Sequence, residues 1–283
     1  QQTGKIKHLL EEALSIVRSN FGESHPQYAE STKNLALLHI ENKDFSRALN
    51  LLESANQIWI QKLGKKNIHL ADISLLKGTI FTEKGDFKNA AYNYLSAKSF
   101  YRKIFNKYHP DYVNTLSKLS QMYYISGNYK KSVKILHETT NIYLTFINKY
   151  FPSLSDREKT KFWSHIKNDF EFYKTLAIRL KEENPKLIAN VYDHTLIIKA
   201  LLLSSSIKVR ERILNSGDIE LIGKYKEWVS KKEFLTGILS LSNQELKESG
   251  IDANALLKET DFLEKYLNES SGLFAANYES VNY

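Results

Sequence analysis

The chain of 283 residues has no cysteine. That excludes disulfides, thiolate-held metals and a cysteine nucleophile within it, and it suits a reducing compartment, so a cytoplasmic setting is expected. Breakers are scarce as well, with 11 Gly and 4 Pro. Sheet-rich domains need many turns, so this scarcity favours long helices joined by short loops. Long apolar runs are missing. The best candidate, Leu196 to Leu203, is interrupted by Lys199, well short of the roughly 18 residues of a membrane span. With Lys5, Lys7 and His8 among the first helical residues, no secretory signal is expected there. A strong single-sign charge is absent too. The net charge is +8, yet 32 acidic residues are interspersed with 40 basic ones, and no run of five or six like charges occurs. A mixed, solvated surface is expected rather than a nucleic-acid footprint.

What is present is an internal period. Phe45, Phe87 and Tyr129 follow Asp44, Asp86 and Asn128 at intervals of 42 residues, and His25-Pro26, Asn67-Ile68 and His109-Pro110 keep the same beat, with Phe151-Pro152 on the next. Each unit reads as two helices. Pro26 and Pro110 suit a first helical position, where the missing N–H has no partner to lose. The first helices (A) are predicted over Gln27–Glu41, Leu70–Glu83 and Asp111–Ser126. The second helices (B) are predicted over Phe45–Leu63, Phe87–Asn106 and Tyr129 to about Tyr150. Gly85 and Gly127 mark left-handed helix ends. Small residues recur in phase: Ala36, Gly78 and Ser120; Ala48, Ala90 and Ser132; Ala55, Ala97 and Thr139. Large ones fill the gaps, as in Leu52, Tyr94 and Leu136. Small against large at fixed phase is how one helical hairpin nests on the next.

The spacing from Ala36 to Ala48, Leu52 and Ala55 resembles the tetratricopeptide (TPR) repeat. The period exceeds the usual length of about 34 and looks like the long variant of kinesin light chains. The resemblance covers about residues 5 to 150. Leu9, Leu10, Ala13, Ile16 and Gly22 align one period before Leu51, Leu52, Ala55, Ile58 and Gly64, so the chain opens on a B helix without its A helix. A solenoid is not expected to begin with half a unit, which suggests a segment of a longer protein.

After Ser153 the phase is lost. Ser155 and Glu158 form a capping-box pattern, and Phe162, Trp163, Ile166 and Phe170 follow as an aromatic stripe read as core. A long helix opens at Asn184-Pro185, is apolar nearly all round near Leu201 and stops at Ser216-Gly217. Asp218 caps another, Ser242-Asn243 starts a short polar piece, and Ile251 to Asn268 form the last helix. LSDREKTKFW and NPKLIANVYDHTLIIKALLLSSSIKVRERILNSGD resemble the helical segment between repeats and protease in bacterial TPR–CHAT proteins. CHAT domains are caspase-like cysteine peptidases. The resemblance implies that such a peptidase follows in cis, beyond Tyr283, with its His and Cys outside this chain.

The fold expected is therefore all-α: a TPR superhelical solenoid over 1–150, a helical connecting region over 151–272 and an unstructured tail over 273–283. Chemistry is sparse. None of the eight histidines forms a metal-binding pair, and no G-x-G phosphate loop occurs. The best catalytic candidate is His165 with Asp169, four apart on one helix, and it has no accompanying nucleophile. No catalytic residue, metal or cofactor is expected. A protein or peptide partner is. In TPR solenoids the A helices line the inner groove, and by phase its residues here are Glu30, Lys33 and Leu37 (with Ile40); Asp72, Leu75 and Thr79 (with Thr82); and Asn114, Ser117, Gln121 and Tyr124. The carboxylate clamp of chaperone-binding TPRs is not met, since Lys33 is followed four residues on by Leu37 and not Asn. The alternative function is a basic helical solenoid that binds nucleic acid. No membrane contact is expected.

Overall fold

A computed structural model describes residues 2–151, 154–239 and 248–271, without the side chains of 2–4, 200–208 and 239. The helices are α1 (Gln2–Phe21), α2 (Pro26–Glu41), α3 (Phe45–Leu63), α4 (His69–Glu83), α5 (Phe87–Ile104), α6 (Pro110–Ile125), α7 (Tyr129–Tyr150), α8 (Asp156–Arg179), α9 (Lys186–Leu214), α10 (Ile219–Leu239) and α11 (Ala253–Ser270). No strand occurs among the described residues. Contacts divide the chain between Thr139 and Thr140, inside α7, into two units. The proposed polar piece at Ser242-Asn243, the all-round apolar character near Leu201 and the tail over 273–283 lie outside the described residues or side chains.

In the first unit, each landmark of the period has a local physical role. Asp44 and Asp86 are N-caps, their carboxylates accepting from the amides of Arg47 (3.3 Å) and Asn89 (3.1 Å). Asn128 does the same for Lys131 (3.2 Å). Each satisfies an amide that the first helical turn leaves without an intrahelical acceptor. His25 and His109 cap the A helices by a less usual route. Nδ1 of each accepts from the amide two residues on, Gln27 at 3.2 Å and Asp111 at 3.3 Å. Their rings stack on Phe21 and Phe105, with centroids 4.8 and 3.7 Å apart. Gly85 and Gly127 take positive φ at the A-helix ends, where Lys43 does so in the first repeat.

The small residues mark close helix approach. Ala36, Ala48, Ala55, Ala90, Ala97, Ser120, Ser132 and Thr139 are all fully buried. In the first repeat Ala36 and Ala48 share a core with Leu52 and Trp59. In the second, Tyr94 replaces Leu52 by phase, and Gly78 makes room for it: a Cβ on Gly78 would lie 2.7 Å from the Tyr94 ring. In the third, Ser120 and Ser132 bond across the helix pair, each hydroxyl donating to the other's carbonyl at 2.9 and 2.8 Å. Close approach at this phase is thus met three ways: by two alanines, by a glycine under a tyrosine ring and by two hydrogen-bonded serines.

The second unit has its own core. Ile147, Phe151, Ile166 and Phe170 pack with Phe162 and Trp163, so the aromatic stripe of α8 is core. Phe146 stacks on Phe162 at 4.7 Å. The capping box at Ser155 and Glu158 is formed. Asp218 caps α10 by accepting from Leu221 at 3.0 Å. Polar contacts hold α11 against the start of α8. Asn268 donates to the Leu154 carbonyl (2.9 Å), the Asp156 amide donates to Glu264 (2.7 Å), and Lys232 of α10 donates to Asp156 (2.7 Å).

Candidate partner-binding surface

The groove candidates sit on α2, α4 and α6, and their surroundings differ along the series. On α2, Lys33 and Glu30 form an ion pair at 2.7 Å, and the Lys33 ammonium lies 5.8 Å from the centroid of the buried Trp59 ring. Glu30 also lies 4.0 Å from His69 Nδ1, and the His69 ring stacks on Trp59 at 4.3 Å. Leu37 is exposed and Ile40 half-buried.

On α4, Asp72 accepts from the Tyr101 hydroxyl at 2.5 Å. Burial, then this carboxylate, hold the Tyr101 phenol well above the usual range, so it acts as a fixed donor. The Tyr94 hydroxyl donates to Thr79 at 3.3 Å, and Thr82 turns back to the Gly78 carbonyl at 2.8 Å. Leu75 packs partly into the core. On α6, Asn114 and Gln121 are exposed, Tyr124 is half-buried with its ring tilted on Tyr129, and Ser117 is buried, accepting from Gln121 at 3.4 Å. Leu37 of α2 and Asn114 and Gln121 of α6 are thus exposed, whereas Asp72 and Thr79 of α4 are held by tyrosines from α5.

Sequence reading missed those anchors. Trp59, Tyr101 and Tyr143 are spaced by the same period of 42, and a phase-matched aromatic column was the signal available for them. Tyr143 donates to Asp169 in the second unit at 3.0 Å. That contact also separates the catalytic candidates. Asp169 is buried against Tyr143, and the exposed His165 turns Nδ1 to the Lys161 carbonyl of its own helix at 2.6 Å. The two share a helix without forming a dyad or a surface pair. Among the described residues, no group of three His, Asp or Glu side chains is arranged to hold a metal, and no helix is long and apolar enough to cross a membrane.

Comparison with known proteins is consistent with this geometry. A tetratricopeptide-repeat family model matches residues 2–61. No curated protein matches the chain. Among solved structures, the nearly identical TPR-like repeats of a "putative kinesin light chain" from Podosopora anserina align over 72% of this chain and 89% of their own, at 17% identity and a TM-score of 0.50. BtubC (BKLC) from P. vanneervenii aligns at 20% identity with a TM-score of 0.46, covering 51% of this chain and 58% of its own length. This is a fold of the non-catalytic scaffold type. The chain is all-α and carries tetratricopeptide repeats arranged as a solenoid of the kind seen in kinesin light chains, with further helices after them.

Proposed function

We propose that this chain is the partner-sensing and regulatory segment of a TPR–CHAT protein. It reads as a repeat array over 1–150 that captures a protein or peptide, and a connecting region over 151–272 that relays occupancy to a caspase-like peptidase in cis. The tail over 273–283 would lead into that domain. On this reading the protein is bacterial and cytoplasmic, and the segment itself uses no cofactor. TPR domains bind protein partners, which supports the capture role. The observation that carries it here is the set of exposed groups on α2 and α6, Leu37, Asn114 and Gln121, beside the Glu30–Lys33 pair. A mixture of apolar and hydrogen-bonding groups at helical spacing suits an extended peptide or a helix.

Two measurements test this reading. The reading frame after Tyr283 should encode a His- and Cys-bearing peptidase domain; a stop codon there removes the peptidase link and leaves an adaptor. A partner recovered with the full chain should lose at least about tenfold in affinity on Gln121→Ala combined with Tyr124→Ala, since a central interface residue contributes on the order of 1–2 kcal/mol. Unchanged affinity would move the partner off the A helices.

A further inference from the structure

The B helix of the middle repeat differs from its two counterparts on the side turned to solvent. Lys88, Tyr92, Leu95, Ser99 and Lys103 fall within one stripe of α5, at steps of three or four residues. Tyr92 is 73% and Leu95 49% exposed. With Ser96, Ser99, Phe100 and Lys103 they line a shallow depression of about 370 Å³. The repeat supplies its own control. One period earlier, α3 carries Asn50, Glu53 and Gln57 in place of Tyr92, Leu95 and Ser99. One period later, α7 carries Lys134, His137 and Asn141. The helical hairpin therefore packs with polar groups here, and nothing in the repeat's architecture requires the tyrosine and leucine of α5. Tyr92 and Leu95 thus form a small apolar patch rimmed by polar groups, which leaves both side chains available to a partner.

Charge and length define the occupant. Helix α5 has no acidic residue, and Lys88, Arg102 and Lys103 are exposed at its two ends. Lys88 to Lys103 spans about 22 Å at a helix's ordinary rise. We infer that α5 presents a second docking surface, separate from the A-helix groove, for an amphipathic helix of a partner protein: about four turns long, with apolar anchors three and four apart and acidic residues at its ends. Tyr92 and Leu95 take the anchors. Lys88 and Lys103 meet the acidic ends, which sets orientation and speeds encounter.

A displayed library of amphipathic helices about four turns long, with anchors and flanks randomised, tests this when selected on the full chain and counter-selected on Tyr92→Asn/Leu95→Glu. That variant carries the residues α3 already uses, and an unchanged melting curve confirms its fold. Lys88→Glu/Lys103→Glu serves as a second variant that leaves the apolar patch intact. The expected winners carry acidic flanks, lose about tenfold or more in affinity on either variant, and bind Gln121→Ala as well as they bind the wild type. Basic flanks, no enrichment, or an affinity for either variant equal to that for the wild type would overturn the inference. So would a wild-type dimer that Tyr92→Asn/Leu95→Glu returns to monomer, because a second copy would then be the occupant.

Discussion

Two residues make opposite demands on their surroundings. Gly78 sits inside α4, where alanine would ordinarily be better by about 1 kcal/mol. The Tyr94 ring occupies the space a Cβ needs. Gly78→Ala is therefore expected to destabilise the first unit by about 1–3 kcal/mol, as overpacking does. Adding Tyr94→Leu, which recreates the Ala36 and Leu52 combination of the first repeat, should restore most of the loss in a urea-denaturation double-mutant cycle. A stabilised Gly78→Ala would refute the packing argument. Glu264 is the second residue. Burial first, then the neighbouring Asp156, push its carboxyl up to about 7. Against its own burial, Asp156 is held low by the hydrogen bond from Lys232, and Lys159 lies 3.5 Å from it. The folded Glu264 thus binds a proton that the unfolded chain, with an ordinary value of about 4.3, has already released. Its contribution to stability is complete below about pH 4.3 and is lost as pH rises through about 7. Glu264→Gln retains an oxygen for the Asp156 amide without the charge. It should raise the stability of the second unit near pH 8 by about 1–3 kcal/mol and change little near pH 4. A melting-temperature profile identical to the wild type across that range would show that Glu264 does not titrate there.

At the scale of elements, helix ends carry much of the specification. His109 caps α6 and stacks on Phe105 at the same time. His109→Ala removes both and is expected to lower stability by about 1–2 kcal/mol, whereas His109→Asn, a strong N-cap, should lose only the stacking share, about 0.5–1 kcal/mol. Equal losses in thermal melts would mean that the cap contributes nothing. The A and B helices could be read from the sequence to within two residues at nearly every end, because Asp, Asn, Pro and Gly sit where the backbone needs them. The capping box at Ser155 was equally readable, since it depends on residues three apart. Which helices each carboxylate would join was not readable. Asp156 lies 108 residues from Glu264 and 76 from Lys232, and no local pattern relates them.

Across the whole molecule, charge is the clearest test of what the solenoid binds. The net charge of +8 invites a polyanion, yet many lysines are engaged. Lys77 pairs with Glu53 at 2.7 Å, which holds that carboxylate below its usual range, and Lys98 pairs with Glu138 at 3.1 Å. A labelled oligonucleotide should therefore show no binding even at about 0.05 M salt, where phosphate contacts are strongest. Salt-dependent binding there would favour the nucleic-acid reading over a protein partner.

Periodicity alone determined the all-α class, the repeat length, the helix pairs and the small-against-large phases. These depend on residues a few positions apart, or one repeat apart, and the helix and the repeat both preserve that spacing. Tertiary structure decided which polar groups are free. Asp72 and Thr79 share the phase of groove residues, yet tyrosines from the following helix hold them, and Asp169 is bound by Tyr143 instead of pairing with His165. A side chain's face follows from its own helix. Whether that face remains open depends on the neighbouring helix, through hydrogen bonds that reach across the packing and leave no periodic trace in the sequence.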